Sequence, residues 1–117
     1  MQDLKKRLFQ FAVEVGRLYD DLPANSRNNA YLNQLIRCSS SVGANYRAAL
    51  RAKSPADFLN KLKTVEEEAD ESIYFLELLQ PFNQNFALRL SELIAEGTAI
   101  LKIVVSSIKT TRNNMKE

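Results

Sequence analysis

An all-α fold, an antiparallel up-down four-helix bundle, is what this sequence predicts. Three observations carry that expectation. Apolar residues recur at three- and four-residue steps along four separate stretches. Only three glycines and three prolines occur in 117 residues, fewer turn formers than a β-rich chain of this length needs. The polar breaks between the periodic stretches are short, which sets neighbouring helices antiparallel. With 45% hydrophobic and 26% charged residues, residues 1–117 are expected to close one core as a single domain.

The first helix is expected over about residues 3–22. Leu4, Leu8, Phe11, Val15, Leu18 and Leu22 form one inward stripe, and Pro23 with the polar run to Asn29 ends it. The second is expected over about 29–52, with Tyr31 or Leu32, Leu35, Val42, Tyr46 and Ala49 inward. Its middle is unusually small: Cys38, Ser39, Ser40, Ser41, Gly43 and Ala44. Glycine costs roughly 0.5–1 kcal/mol against alanine inside a helix, so such a run predicts close approach by a neighbouring helix.

The third helix, about 55–80, has the clearest start. Ser54 suits the N-cap, Pro55 the first helical position, and Asp57 the first turn, where the helix dipole favours an acid. Phe58, Leu62, Val65, Ala69, Ile73, Leu76 and Leu79 or Gln80 carry its stripe to Pro81. The fourth is expected over about 85–109, followed by a polar, frayed tail at 110–117. Its apolar positions spread over an arc of about 200°, wider than the ~100° a bundle face needs. The surplus predicts a subunit interface, with Ile100, Leu101, Ile103 and Val105 as its candidate residues.

Several kinds of chemistry are excluded early. The chain has no histidine and a single cysteine, Cys38, which removes most metal sites, an internal disulfide framework and the commonest general base. Ser39 to Ser41 have no histidine partner for a triad. The acidic run Glu66, Glu67, Glu68, Asp70 and Glu71 partly mimics the EExxE motif of helical magnesium-dependent nucleotide hydrolases. The second motif those enzymes need is missing, since Glu92 and Glu96 lack an accompanying aspartate. A solvated face with ion pairing is the expected role. No metal, cofactor or catalytic residue is predicted.

Arg37, Ser41 and Asn45 lie at successive turns of the second helix. In a hairpin pivoting near residues 53 and 54, facing positions sum to about 107. Arg37 is therefore expected to pair with Glu71 or Glu67, making Arg37, Ser41, Asn45, Glu67 and Glu71 a structural polar cluster.

Charge is unevenly spread: residues 1–52 carry a balance of +4, residues 53–80 of −4 and residues 81–117 of +2. Lys5, Lys6, Arg17, Arg47, Arg51 and Lys53 are the candidate contacts to nucleic-acid phosphates. The segment Met1 to Phe11 is too charged for a signal peptide, and the most apolar run, Ala99 to Val105, is short and interrupted by Lys102. No membrane association is expected, and a reducing cytoplasmic setting is.

The segment Gln34-Leu35-Ile36-Arg37-Cys38-Ser39-Ser40-Ser41-Val42-Gly43-Ala44-Asn45-Tyr46-Arg47-Ala48 resembles the Q-L-x-R-S-x-x-S-I-x-x-N-I-x-E signature of the four-helix-bundle proteins first noticed inside intervening sequences of bacterial 23S rRNA genes. Asp57-Phe58 and the run from Glu68 to Leu79 resemble that family's third helix. Cys38 stands where the family usually has serine, and Ala48-Ala49 where it commonly has Glu-Gly. The resemblance implies a four-helix bundle assembling as a homopentamer. Through the related accessory protein of diversity-generating retroelements, it also implies association with RNA or DNA. The expected function is a non-catalytic oligomeric bundle that meets nucleic acid through its first two helices. The alternatives are a protein-interaction scaffold with a protein partner and the magnesium-dependent hydrolase at Glu67 to Glu71.

Overall fold

The structure, a computed structural model, describes residues 3–116. Four α-helices follow one another: α1 (Leu4–Asp21), α2 (Ser26–Ala49), α3 (Pro55–Leu79) and α4 (Ala87–Lys116). Two short 3-10 turns, Gln80–Phe82 and Gln84–Phe86, join α3 to α4. The helices form an antiparallel rod of 51 × 22 × 20 Å. The predicted fold class is the observed one.

Local chemistry sets each helix start. The Asp3 carboxylate accepts the Lys5 N–H at 3.1 Å and heads α1. Asn25 heads α2, its side chain accepting the Asn28 N–H at 2.9 Å. That cap starts α2 at Ser26 rather than at Asn29. The polar run after Pro23 contains four residues able to cap, and only the packed structure selects one. At α3 the Ser54 hydroxyl accepts the Asp57 N–H at 3.1 Å, while the Asp57 carboxylate accepts the Lys53 N–H at 3.1 Å. The arrangement is a capping-box variant in which the acid reaches the N–H one residue ahead of the cap.

The expected frayed tail is corrected: α4 runs on to Lys116. No glycine or proline interrupts the chain after Ile108. Ile108 is buried, and Thr111 is half-buried, its hydroxyl donating to the Ser107 carbonyl at 2.8 Å. Ile108 and Thr111 extend the inward stripe by one turn, and Met115 beyond them is exposed. Thr111 and Met115 line a hollow together with the α2–α3 connection.

The core follows most of each expected stripe, with Leu8, Val15, Leu35, Leu62, Val65 and Leu76 at or below 1% exposure. Leu4, Tyr46, Phe58 and Ile73 are only half-buried, and Leu93 of α4 joins the core unexpectedly. Where periodicity left two choices, Leu32 and Leu79 are the buried members. Burial of each such leucine or valine contributes roughly 1.5–3 kcal/mol. The small run of α2 serves two seams. A Cβ on Gly43 would lie 3.7 Å from Leu8 Cβ and 3.9 Å from its carbonyl, so α1 approaches closely there. On the other side, the buried Ser72 hydroxyl of α3 lies 3.3 Å from the Cys38 sulfur. In α4, Gly97 leaves room for Ile73 and Phe11, which a Cβ would meet at 3.1 and 3.5 Å.

A polar clasp closes one end of the rod. Asn28 at the head of α2 and Asn83 between the two 3-10 turns are both buried. Each side-chain amide donates to the other's carbonyl oxygen, at 2.9 and 3.0 Å. The remaining hydrogens go to the Pro23 and Leu79 carbonyls, each at 2.8 Å.

The wide apolar arc of α4 is largely consumed inside the bundle. Ile100 is 1% exposed, so it is corrected from interface to core. Leu101 and Val105 are half-buried, and Ile103 is exposed. An α4 that packs on both α3 and α1 needs a broader face than one helix contact demands.

Candidate nucleic-acid interface

The first two helices meet with small side chains between them, and a groove results. Lys5, Leu8, Phe9 and Ala12 of α1 face Ser40, Gly43, Ala44 and Arg47 of α2 across a recess of about 300 Å³. A second shallow recess of about 320 Å³ continues along α2 between Ala44, Arg47, Ala48 and Arg51. Ser40, Ala44 and Arg47 are spaced by four and three residues, so they share one face of α2, and Arg51 follows in the turn just after the helix. On the α2 side, side chains no larger than a methyl or hydroxymethyl form the floor, with Leu8, Phe9 and Ala12 opposite and Lys5 and Arg47 at the rim.

What makes this face distinct is which charges survive pairing. Arg7 is clamped by Glu96 of α4, Nε to Oε2 at 2.8 Å and Nη2 to Oε1 at 2.7 Å, and that bond raises its pKa further. Arg17 pairs with Glu14 on the exposed side of α1 at 2.5 Å and stands outside the groove. Arg27 lies over the Phe82 ring at 3.6 Å, a cation–π contact. Arg89 pairs with Asp21 at 2.6 Å. Among the described residues, the side chains of Lys5, Arg47 and Arg51 have no carboxylate within ion-pair distance, and no carboxylate lines either recess. Lys6 is exposed on α1 outside the groove. Lys53 lines a different hollow, of about 550 Å³, beside Leu50, Phe58 and Met115. The six candidate contacts therefore separate: three share the groove and three do not.

Tyr46, next to Arg47 on α2, has its phenol pushed above the ordinary range by burial and by the nearby charge of Asp3. Phe9, 53% exposed, lines the groove and was missed as a site residue by sequence reasoning. Its signal was present: it stands one position off the inward stripe of α1, where a large aromatic has no core to enter.

The polar cluster is partly assembled. Arg37 Nη2 donates to Glu71 at 2.7 Å and Nη1 to Glu68 at 3.3 Å. Their carboxylates raise the Arg37 pKa, Glu71 first. The register sum of 108 for Arg37 and Glu71 matches the expected one within a residue. Glu67 is corrected: it is exposed and absent from this contact. The edge of α3 facing α2 runs through Glu68 and Ser72, which turns Glu67 to solvent. Ser41 and Asn45 satisfy one another within α2, the Asn45 amide donating to the Ser41 carbonyl at 2.9 Å and hydroxyl at 2.7 Å.

Two acids of the run, Glu68 and Glu71, are thus engaged by Arg37. Among the described residues no three acidic, histidine or cysteine side chains converge at metal-binding distance. Cys38 is buried, and that burial pushes its thiol pKa up. It stays protonated and poorly nucleophilic at neutral pH. No helix among the described residues is long and apolar enough to cross a membrane.

Fold and surface together define an antiparallel four-helix bundle with one unneutralised basic groove between α1 and α2. The model of the 23S rRNA-intervening sequence protein family matches residues 2–106, and the chain belongs to that family. A solved crystal structure of a protein of unknown function from the S23 ribosomal protein family of Bacteroides thetaiotaomicron is similar, at 34% identity and a TM-score of 0.83. The similarity covers 92% of this chain and 99% of that one. No curated protein matches. Neither the family description nor the structural relative carries a catalytic assignment.

Proposed function

We propose that this protein is a non-catalytic, oligomeric bundle that associates with nucleic acid through the α1/α2 groove. One observation carries the reading. Lys5, Arg47 and Arg51 line a continuous face free of carboxylates, in a chain whose other arginines on these two helices are paired or stacked. Pairing of the neighbouring arginines leaves these three cations as a local positive field in a chain of net charge +2, which is what phosphates read. The family's description refers to intervening sequences of 23S rRNA, and the structural relative's family to ribosomal protein S23; both fit an RNA setting. Copies meet through the outer side of α4, at Ile103 with Leu101 and Val105, and repeat the groove around the assembly. The reading places the protein in the cytoplasm.

The test is a salt titration of oligonucleotide binding by the wild type and the Arg47→Ala/Arg51→Ala variant. Two lost phosphate contacts lower the slope of log K against log salt by roughly 1.4 for a single strand. Salt-independent binding, or an unchanged slope in the variant, overturns the assignment of this face. Sedimentation before and after nuclease treatment reports co-purifying nucleic acid and subunit number together.

A further inference from the structure

Phe9 has no structural reason to be where it is. It lies off the inward stripe of α1, is 53% exposed, and takes part in no aromatic or cation–π pair among the described residues. Yet it lines the recess that also holds Lys5 and Arg47, and the residues opposite it, Gly43 and Ala44, are too small to cover a ring. An open aromatic face between two unpaired cations suits a flat π-system whose attached groups are anionic.

We infer that the groove takes single-stranded nucleic acid, with one base stacked on Phe9 and the flanking phosphates held by Lys5 and Arg47. The inference rests on the nucleic-acid reading above and deepens it. In a duplex the base faces are already stacked and only edges and phosphates are offered, so a duplex leaves Phe9 without a partner. The recess of about 300 Å³ has room for a base and excludes a double helix. Lys5 lies one helical turn, ~6 Å of rise, from Phe9. Arg51 lies one turn beyond Arg47 in the adjoining recess, so the charges follow a strand along the groove while the ring meets a base.

Fluorescence anisotropy with a labelled oligonucleotide, as a single strand of RNA or DNA and as the matching duplex, tests this on the full chain. Wild type is expected to prefer the single strand by about tenfold or more, in line with the five- to hundredfold worth of one base–aromatic stack. Phe9→Leu keeps the apolar bulk but removes the π face. It should lose that preference and leave the salt slope unchanged, and Phe9→Tyr should restore it. Ala44→Leu, an exposed position, should fill the recess and weaken single-strand binding without lowering the melting temperature. Lys5→Ala/Arg47→Ala should weaken single strand and duplex alike. Equal binding of duplex and single strand by the wild type, or Phe9→Leu binding as the wild type does, overturns the stacking inference. If Lys5→Ala/Arg47→Ala still binds less in that case, the nucleic-acid reading stands. Binding of neither form overturns both, and an acidic peptide such as oligoglutamate competing at equal charge points to a protein partner instead.

Discussion

Asn28 and Asn83 show how much a single buried pair can decide. Fifty-five positions separate them in the chain, and neither stands out in the sequence, where both sit among turn-forming neighbours. Folding brings both amides out of water, and each is satisfied by the other and by one backbone carbonyl. A buried polar group left without its partner costs about 1–3 kcal/mol. Asn28→Ala strands the Asn83 carbonyl oxygen and the Pro23 carbonyl together, so urea denaturation should show a loss of about 2 kcal/mol. In a double-mutant cycle with Asn83→Ala the losses should be clearly less than additive. Strict additivity would mean that the two side chains do not support one another. Arg37 was legible at this scale, since helical spacing and hairpin register bring it to Glu71. Its second contact, Glu68 in place of Glu67, depended on which edge of α3 faces α2.

At the scale of the element, helix starts were the most legible feature and helix ends the least. Ser54, Pro55 and Asp57 mark the head of α3 with local chemistry alone, and the structure shows each in its expected place. Asp57 is held below the ordinary carboxylate range by its bond from Lys61, then by the Lys53 N–H. In the unfolded chain its pKa returns to about 3.9. Because the folded value is the lower one, the stability Asp57 contributes is complete above the unfolded value. It is lost as pH falls through the folded value. Asp57→Asn should therefore lower the melting temperature at pH 7. The gap to the wild type should close as the pH is taken below about 4. A gap constant from pH 7 to pH 3 would show that the carboxylate charge is irrelevant there. The end of α4 was read too early because polar residues resemble a tail. Thr111 continues the stripe, and the α2–α3 connection faces it across a hollow that local spacing does not reveal.

For the whole molecule, the decisive events are the pairings that join α1 to α4. These two helices pack lightly on one another, and Arg7–Glu96 and Arg89–Asp21 stitch the seam between them. The same pairings remove Arg7 from the basic surface. Packing also removes Ile100 from the outer surface of α4 and leaves Ile103 exposed beside half-buried Leu101 and Val105, with Leu88 and Met115 exposed nearer the two ends of the helix. If copies assemble through that side, sedimentation of the wild type should give several chain masses. Ile103→Glu should reduce the particle to one chain while the helical circular-dichroism signal is kept. A wild type that remains one chain at high concentration rules out the oligomer.

Sequence alone determined the helical class, the four periodic stretches, the core stripes and the α2/α3 register. Those follow from interactions reaching no further than three or four residues, together with short connections that allow one pairing direction. Tertiary structure alone decided which cations stay unpaired, which apolar side chains of α4 stay outside and that Phe9 looks into a groove. Apart from the local Arg17–Glu14 pair, each of those depends on a neighbour on another helix, as far along the chain as Glu96 is from Arg7, and helical periodicity carries no information over that distance.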